Sequence, residues 1–172
     1  MTEPRAVSLR IAAAILVVTA MLVLAGFVWP MDDVDPGTGG RLAFAGGLML
    51  VPGLCLAAAI GWVAAVRFAS DADRAGAALS AASPALGVPS AVLQNTLEQA
   101  VLAGIAYAAA AALWPPERLG AAAVAAALFG IGRLLFALGY ARGAAGRAFG
   151  FGLTFYPTLV LLAGSVAALA AG

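Results

Sequence analysis

The chain has 172 residues, of which 64% are hydrophobic and only 10% charged, with a mean hydropathy of +1.04. A soluble domain of this size needs far more charge to cover its surface, and a net charge of +1 with no basic run offers nothing to nucleic acid. All nine cationic residues are Arg, and the absence of His removes His-based metal sites and Ser-His or Cys-His catalysis.

Several apolar runs reach the ~20 residues that a helix needs to cross a bilayer. Lipid offers backbone groups no partner, so these runs must be helical, and the short alternating strands of a spanning barrel are missing. The reading is an all-α integral membrane protein with five spans. The excess of Ala, Gly and Arg suggests a GC-rich bacterial genome, and hence a multi-pass protein of the bacterial cytoplasmic (inner) membrane.

The first span covers about Leu9 to Val28, flanked by Arg5 and Arg10. It is longer than a signal-peptide core and lacks a clear cleavage site, so it reads as a retained span. Met31 to Gly40 forms an acidic loop with Asp32, Asp33 and Asp35. The second span, about Leu42 to Val66, carries Pro52-Gly53 as an expected kink. Cys55 lies within it as a small apolar filler, and a lone Cys allows no disulfide framework.

A longer connection, Arg67 to Ser90, has room for a short helix. The third span runs from about Ala91 to Leu113 and stops at Trp114-Pro115-Pro116. The fourth covers Leu119 to Tyr140. The fifth covers Ala148 to Leu169, with Pro157 inside it. With the N-terminus cytoplasmic, Arg5, Arg10, Arg67, Arg74, Arg142 and Arg147 lie inside and only Arg41 and Arg118 outside. That bias satisfies the positive-inside rule, places the C-terminus outside, and puts Trp29 and Trp114 at outer interfaces. Gly139-x-x-x-Gly143 and Gly146-x-x-x-Gly150 fit close helix approach, although so much Ala and Gly makes such patterns common by chance.

Two stretches carry chemistry. Gln94-Asn95-Thr96-Leu97-Glu98-Gln99 places Asn95 and Glu98 three apart on one helix face. An ionisable group inside a span faces a bundle interior or a wet cavity, so Glu98 is either a ligand-binding group or half of an ion pair that locks helices. The second stretch runs from Arg133 to Arg147, with Arg133, Phe136 and Tyr140 forming one stripe. Arg133 lies at a depth similar to Glu98, which predicts a Glu98–Arg133 ion pair. Arg142 has topology-setting charge as its plainer role.

At this spacing the two stretches resemble the MAPEG family, the membrane-associated proteins of eicosanoid and glutathione metabolism, and its microsomal glutathione transferases look very similar over both. The resemblance covers about Arg41 to Ala171. It divides the chain into an additional N-terminal span with its acidic loop (1–40) and a four-helix membrane domain (41–172). It implies a homotrimer that binds glutathione as co-substrate between neighbouring subunits at the cytoplasmic side. The positions matching Asn95, Glu98 and Tyr140 would hold the tripeptide, with Arg133 and Arg142 as further ligand-binding groups, and Arg147 would stabilise the thiolate.

The implied activity is that of a transferase or peroxidase acting on hydrophobic electrophiles or lipid hydroperoxides that arrive through the bilayer. The alternative is a non-enzymatic protein that binds a lipid on the same scaffold. A transporter or channel fits less well, because no internal repeat with broken helices is present. The sequence departs from the glutathione-using pattern at three positions. Ala91 stands where an Arg is usual, and Gln99 and Phe136 stand where Tyr is common.

Overall fold

The computed structural model describes residues 3–29, 31, 33–74 and 83–171. Among these the secondary structure is helical throughout. The helices are α1 (Glu3–Val28), α2 (Thr38–Phe68), α3 (Asp71–Arg74), α4 (Gly87–Leu113), α5 (Gly120–Gly139) and α6 (Gly143–Ala171), with one-turn 3-10 segments at Pro84–Leu86, Pro116–Arg118 and Tyr140–Arg142. Four stretches are long and apolar enough to cross a membrane, and the last, Pro116–Ala171, contains both α5 and α6. It folds back at Gly143, whose φ of 78° is a left-handed conformation that other residues rarely adopt, so five crossings result.

The polypeptide forms an antiparallel bundle. α5 packs along α6, α6 along α4, α4 along α2, and α2 closes back on α5. Small residues let these helices approach closely. A side chain on Gly139 would collide with the carbonyl of Gly146, and one on Gly146 with that of Gly139, so the α5–α6 hairpin is in backbone contact there. Ala103, Ala106, Ala110, Ala122 and Ala125 continue the seams, and Tyr107, Phe129 and Leu161 fill the space between them. Pro52 and Pro157 lie buried inside helices that run on past them. At the far end, Arg41 donates to the carbonyls of Ala111 (3.0 Å) and Trp114 (2.6 Å), satisfying α4 groups that its own helix leaves unpaired.

α1 docks on the outside of this ring, against α6 and α5. Ala14, Val18, Leu22 and Ala25 recur at intervals of four, four and three and are its buried stripe, while Leu16, Val23 and Leu24 remain exposed. Ala14 sits where Gly152 of α6 leaves no side chain, and Arg10 donates to the carbonyl of Ala145 at 2.6 Å. α1 therefore runs parallel to α6, with both N-termini at one end. That same end holds Arg67, Arg74, Arg142 and Arg147.

The long connection contains the expected short helix as α3, and residues 75–82 lie outside the described residues. Asp73 ties its two sides together. One carboxylate oxygen accepts from the Ser83 hydroxyl at 2.6 Å and the other from the Ser83 amide at 2.8 Å. These bonds, aided by Ser70 and Arg67, hold the Asp73 carboxyl below the usual carboxylate range despite its burial.

The interior of the bundle is organised around Arg133, which is only 4% exposed. Its Nη1 donates to Asn95 Oδ1 of α4 at 2.7 Å and its Nη2 to Thr154 Oγ1 of α6 at 2.8 Å. Its Cζ lies 4.4 Å from the Phe136 ring centre and 5.8 Å from that of Phe129. The expected Glu98–Arg133 ion pair is therefore absent. Glu98 instead accepts from Gln94 Nε2 at 2.9 Å on the exposed side of α4. Helix geometry explains the correction. Asn95 lies at the edge of the buried stripe of Val92, Thr96, Gln99 and Ala103, and Glu98 lies about 60° further round, facing out.

Two outcomes follow. Asn95→Leu strands a buried guanidinium donor and should cost about 2–3 kcal/mol. Adding Arg133→Leu removes the stranded charge, so the double variant should be more stable than the sum of the singles. Denaturation in detergent micelles measures both, and additive losses would show that Arg133 does not depend on Asn95. The Asp73 contribution should be fully present above the unfolded carboxylate value of about 4. It should fade as pH falls through the depressed folded value, and Asp73→Asn should flatten that part of the pH–stability curve.

Candidate functional site

A cavity of about 340 Å³ opens at the Arg-rich end of the bundle, bounded by α1, α4, α5 and α6. Its polar groups are Asn95, Tyr140 and Arg147, and its apolar walls are Phe136, Phe151, Ala148 and Ala144, together with Val7 and Ile11 of α1. Each polar group is positioned by the fold just described. Asn95 is fixed by its bond to Arg133. Phe136 lies one turn before Tyr140, and the two rings meet edge to face at 5.4 Å.

Tyr140 begins the 3-10 turn that ends α5. Across the Gly143 turn, the first residues of α6 return alongside it, and Arg147 Cζ stacks 4.4 Å from the Tyr140 ring centre. That contact orients a half-buried guanidinium. No carboxylate lies within ion-pair distance of Arg147 among the described residues. Because α6 starts at Gly143 rather than at Ala148, Arg147 belongs to the helix itself rather than to the loop before it.

The other candidates divide. Arg133 stands behind Asn95 and Phe136 as the strut that holds them, and its stem reaches a second cavity of about 230 Å³. That cavity lies between α2, α4 and α5, beside Cys55, Trp62 and Thr96. Arg142 is exposed and lines a separate groove with Arg10, Gly139 and Gly146, on the other flank of α1. Glu98 does not line the Arg147 cavity. α4 begins at Gly87, one turn earlier than the sequence suggests, so Glu98 lies eleven residues, about 16 Å, along the helix.

Arg67 at the end of α2 and Arg74 in α3 do not line this cavity either. Arg74 pairs with Asp71 at 2.8 Å and donates to the Phe68 carbonyl. At two of the departures from the pattern, Phe136 forms part of the wall, and Gln99 is buried with its Oε1 unpartnered among the described residues.

Thr154, Val7 and Ile11 were not singled out by their sequence context. Thr154 did leave a trace: with Thr158 it forms an i, i+4 polar pair inside an apolar span. Thr158 is satisfied within its own helix, donating to the Thr154 carbonyl, whereas Thr154 both donates to the Phe151 carbonyl and accepts from Arg133.

The arrangement suits an elongated ligand with an anionic or polarisable group at Arg147 and a polar contact at Asn95. An oriented guanidinium favours a thiolate over a thiol, whose ordinary pKa is about 8.5. No curated protein and no solved structure matches the chain. Residues 42–167, which run from α2 nearly to the end of α6 and include every candidate site residue, match the MAPEG family. The chain belongs to the MAPEG family and is a multi-pass α-helical membrane protein of the glutathione and eicosanoid metabolism type, with α1 lying outside the matched region.

Proposed function

We propose that this protein binds glutathione at the Arg147 cavity and transfers its thiolate to a hydrophobic electrophile, or reduces a lipid hydroperoxide with it, at the cytoplasmic face of a bacterial inner membrane. The observation that carries this reading is Arg147, a cation stacked on Tyr140, facing a cavity and lacking a carboxylate partner among the described residues. In the transferase reaction the thiol proton leaves to solvent, because a chain without His offers no such base and the guanidinium already favours the anion. The sulfur then forms its bond to the electrophile as the leaving group departs. Tyr140 and Asn95 offer a hydroxyl and an amide to the peptide portion.

The glutathione ammonium needs an acceptor that this cavity does not supply from one chain. Glu98 is the group of the right charge, and it projects from the outer face of α4 about three turns into the span. An exposed carboxylate at that depth costs about 3 kcal/mol against lipid unless it is covered. A homotrimer in which a neighbouring copy covers Glu98 would relieve this cost. It would also bring the carboxylate to the edge of a shared site.

The second reading, a non-enzymatic lipid binder, is favoured by the apolar Phe136 and Ala91 at positions where donors to glutathione are usual. It predicts copurifying lipid and no dependence on thiol.

Calorimetric titration of the detergent-solubilised protein with glutathione, with thiolate absorbance followed in parallel, separates the two. The wild type should bind and show thiolate at neutral pH. Arg147→Ala should lose the thiolate signal and at least tenfold in turnover, since one oriented charge is worth roughly 1.5–3 kcal/mol. Glu98→Ala should weaken binding while leaving the thiolate signal of the bound fraction. No binding by the wild type, across a range of concentrations, would rule the glutathione reading out.

A further inference from the structure

α1 lies outside the region that carries the family match, yet it forms one wall of the candidate site. Most of this helix is lipid-facing. Val7 and Ile11, however, are half-buried one turn apart and line the cavity, opposite Ala144, Ala148 and Phe151. The helix cannot slide freely along α6. Ala14 is seated against Gly152, Arg10 is bonded to the Ala145 carbonyl, and at the far end Gly120 of α5 has room for no side chain against Trp29.

These anchors fix Val7 and Ile11 at the level of Arg147. The polar groups of the cavity come from α4, α5 and α6, whereas α1 contributes only branched aliphatic surface to it. A ligand whose reacting end is held at Arg147 therefore meets α1 with its apolar part.

We infer that Val7 and Ile11 of α1 are specificity-determining residues, selecting the apolar group that accompanies the thiolate at Arg147. The inference rests on the glutathione reading above and adds to it the element that sets the range of partners. α1 gives the site an apolar wall that α4–α6 alone would not, so the apolar substituent lies against Ile11 and Phe151.

The test uses S-methylglutathione and S-hexylglutathione, which carry the same peptide and differ only in the apolar group. Both are titrated calorimetrically into the full-length protein in detergent. The wild type should prefer the hexyl conjugate. Ile11→Ala should reduce that preference about fivefold, because apolar contact is lost only for the longer chain. Ile11→Trp, which fills the cavity, should also lower it.

Leu16→Ala, on the exposed face of the same helix, should leave the ratio at the wild-type value. Val7→Ala gives a second reading of the wall should an Ile11 variant fail to elute as a single species. Equal changes for both conjugates, or an unchanged ratio in the Ile11 and Val7 variants, would overturn the selectivity role and leave the glutathione site standing. Failure of the wild type to bind either conjugate would instead remove the glutathione reading, and this inference with it.

Discussion

A guanidinium buried in the middle of a membrane bundle must be given partners by the protein, because lipid gives it none. Arg133 is that group, and no carboxylate lies within ion-pair distance of it among the described residues. Its charge is spread over an amide oxygen, a hydroxyl and two aromatic faces drawn from α4, α5 and α6. Such a set works only at one rotation of each helix about its axis. Turning α4 by one residue would withdraw Asn95, and turning α6 by one residue would withdraw Thr154. The charge is thus a register device, the best attested use of a buried polar group.

The functional end of the molecule inherits that register. Asn95 faces the cavity because Arg133 holds it there, and Phe136 is pinned between the Arg133 guanidinium and the Tyr140 ring. The polar strut and the candidate site are therefore one continuous contact path, from Thr154 through Arg133 and Phe136 to Tyr140 and Arg147. Side chains such as Arg142 that stand off this path face another groove.

Much of this was legible in the sequence, and the parts that were not share a cause. Lipid enforces helicity, so length and hydropathy suffice to locate five spans, with their ends within about two turns. The Arg133-Phe136-Tyr140 stripe was readable because it runs along α5 and into the 3-10 turn that directly continues it, where spacing is geometry. Depth alone pairs Glu98 with Arg133, and depth is not enough. Two residues at one level of a bundle meet only if both face inward, and the inward face of α4 is set by packing of Val92, Thr96 and Ala103 that no single-helix pattern reveals. α1 was recognised as an added span, but its seat was not legible. It is apolar on every side, and its docking stripe of Ala14, Val18, Leu22 and Ala25 differs from its lipid face mainly in what it touches.

Arg147 shows how a local rule can place a distant chemical group. It follows Tyr140 by seven residues, a separation that on a straight helix would put it about 10 Å further along the axis. Gly143 turns the chain at φ 78°, and the contact of Gly139 with Gly146 holds the two helices together directly after the turn. The guanidinium is thereby returned over the Tyr140 ring at 4.4 Å, at the mouth of the cavity. A side chain at Gly139 or Gly146 would separate the helices before it touched the site, and one at Gly143 would strain the turn. The small residues of the hairpin therefore do more than permit close packing. They fold the cation back on the ring that orients it, and α1 then lies across the same hairpin as the last wall.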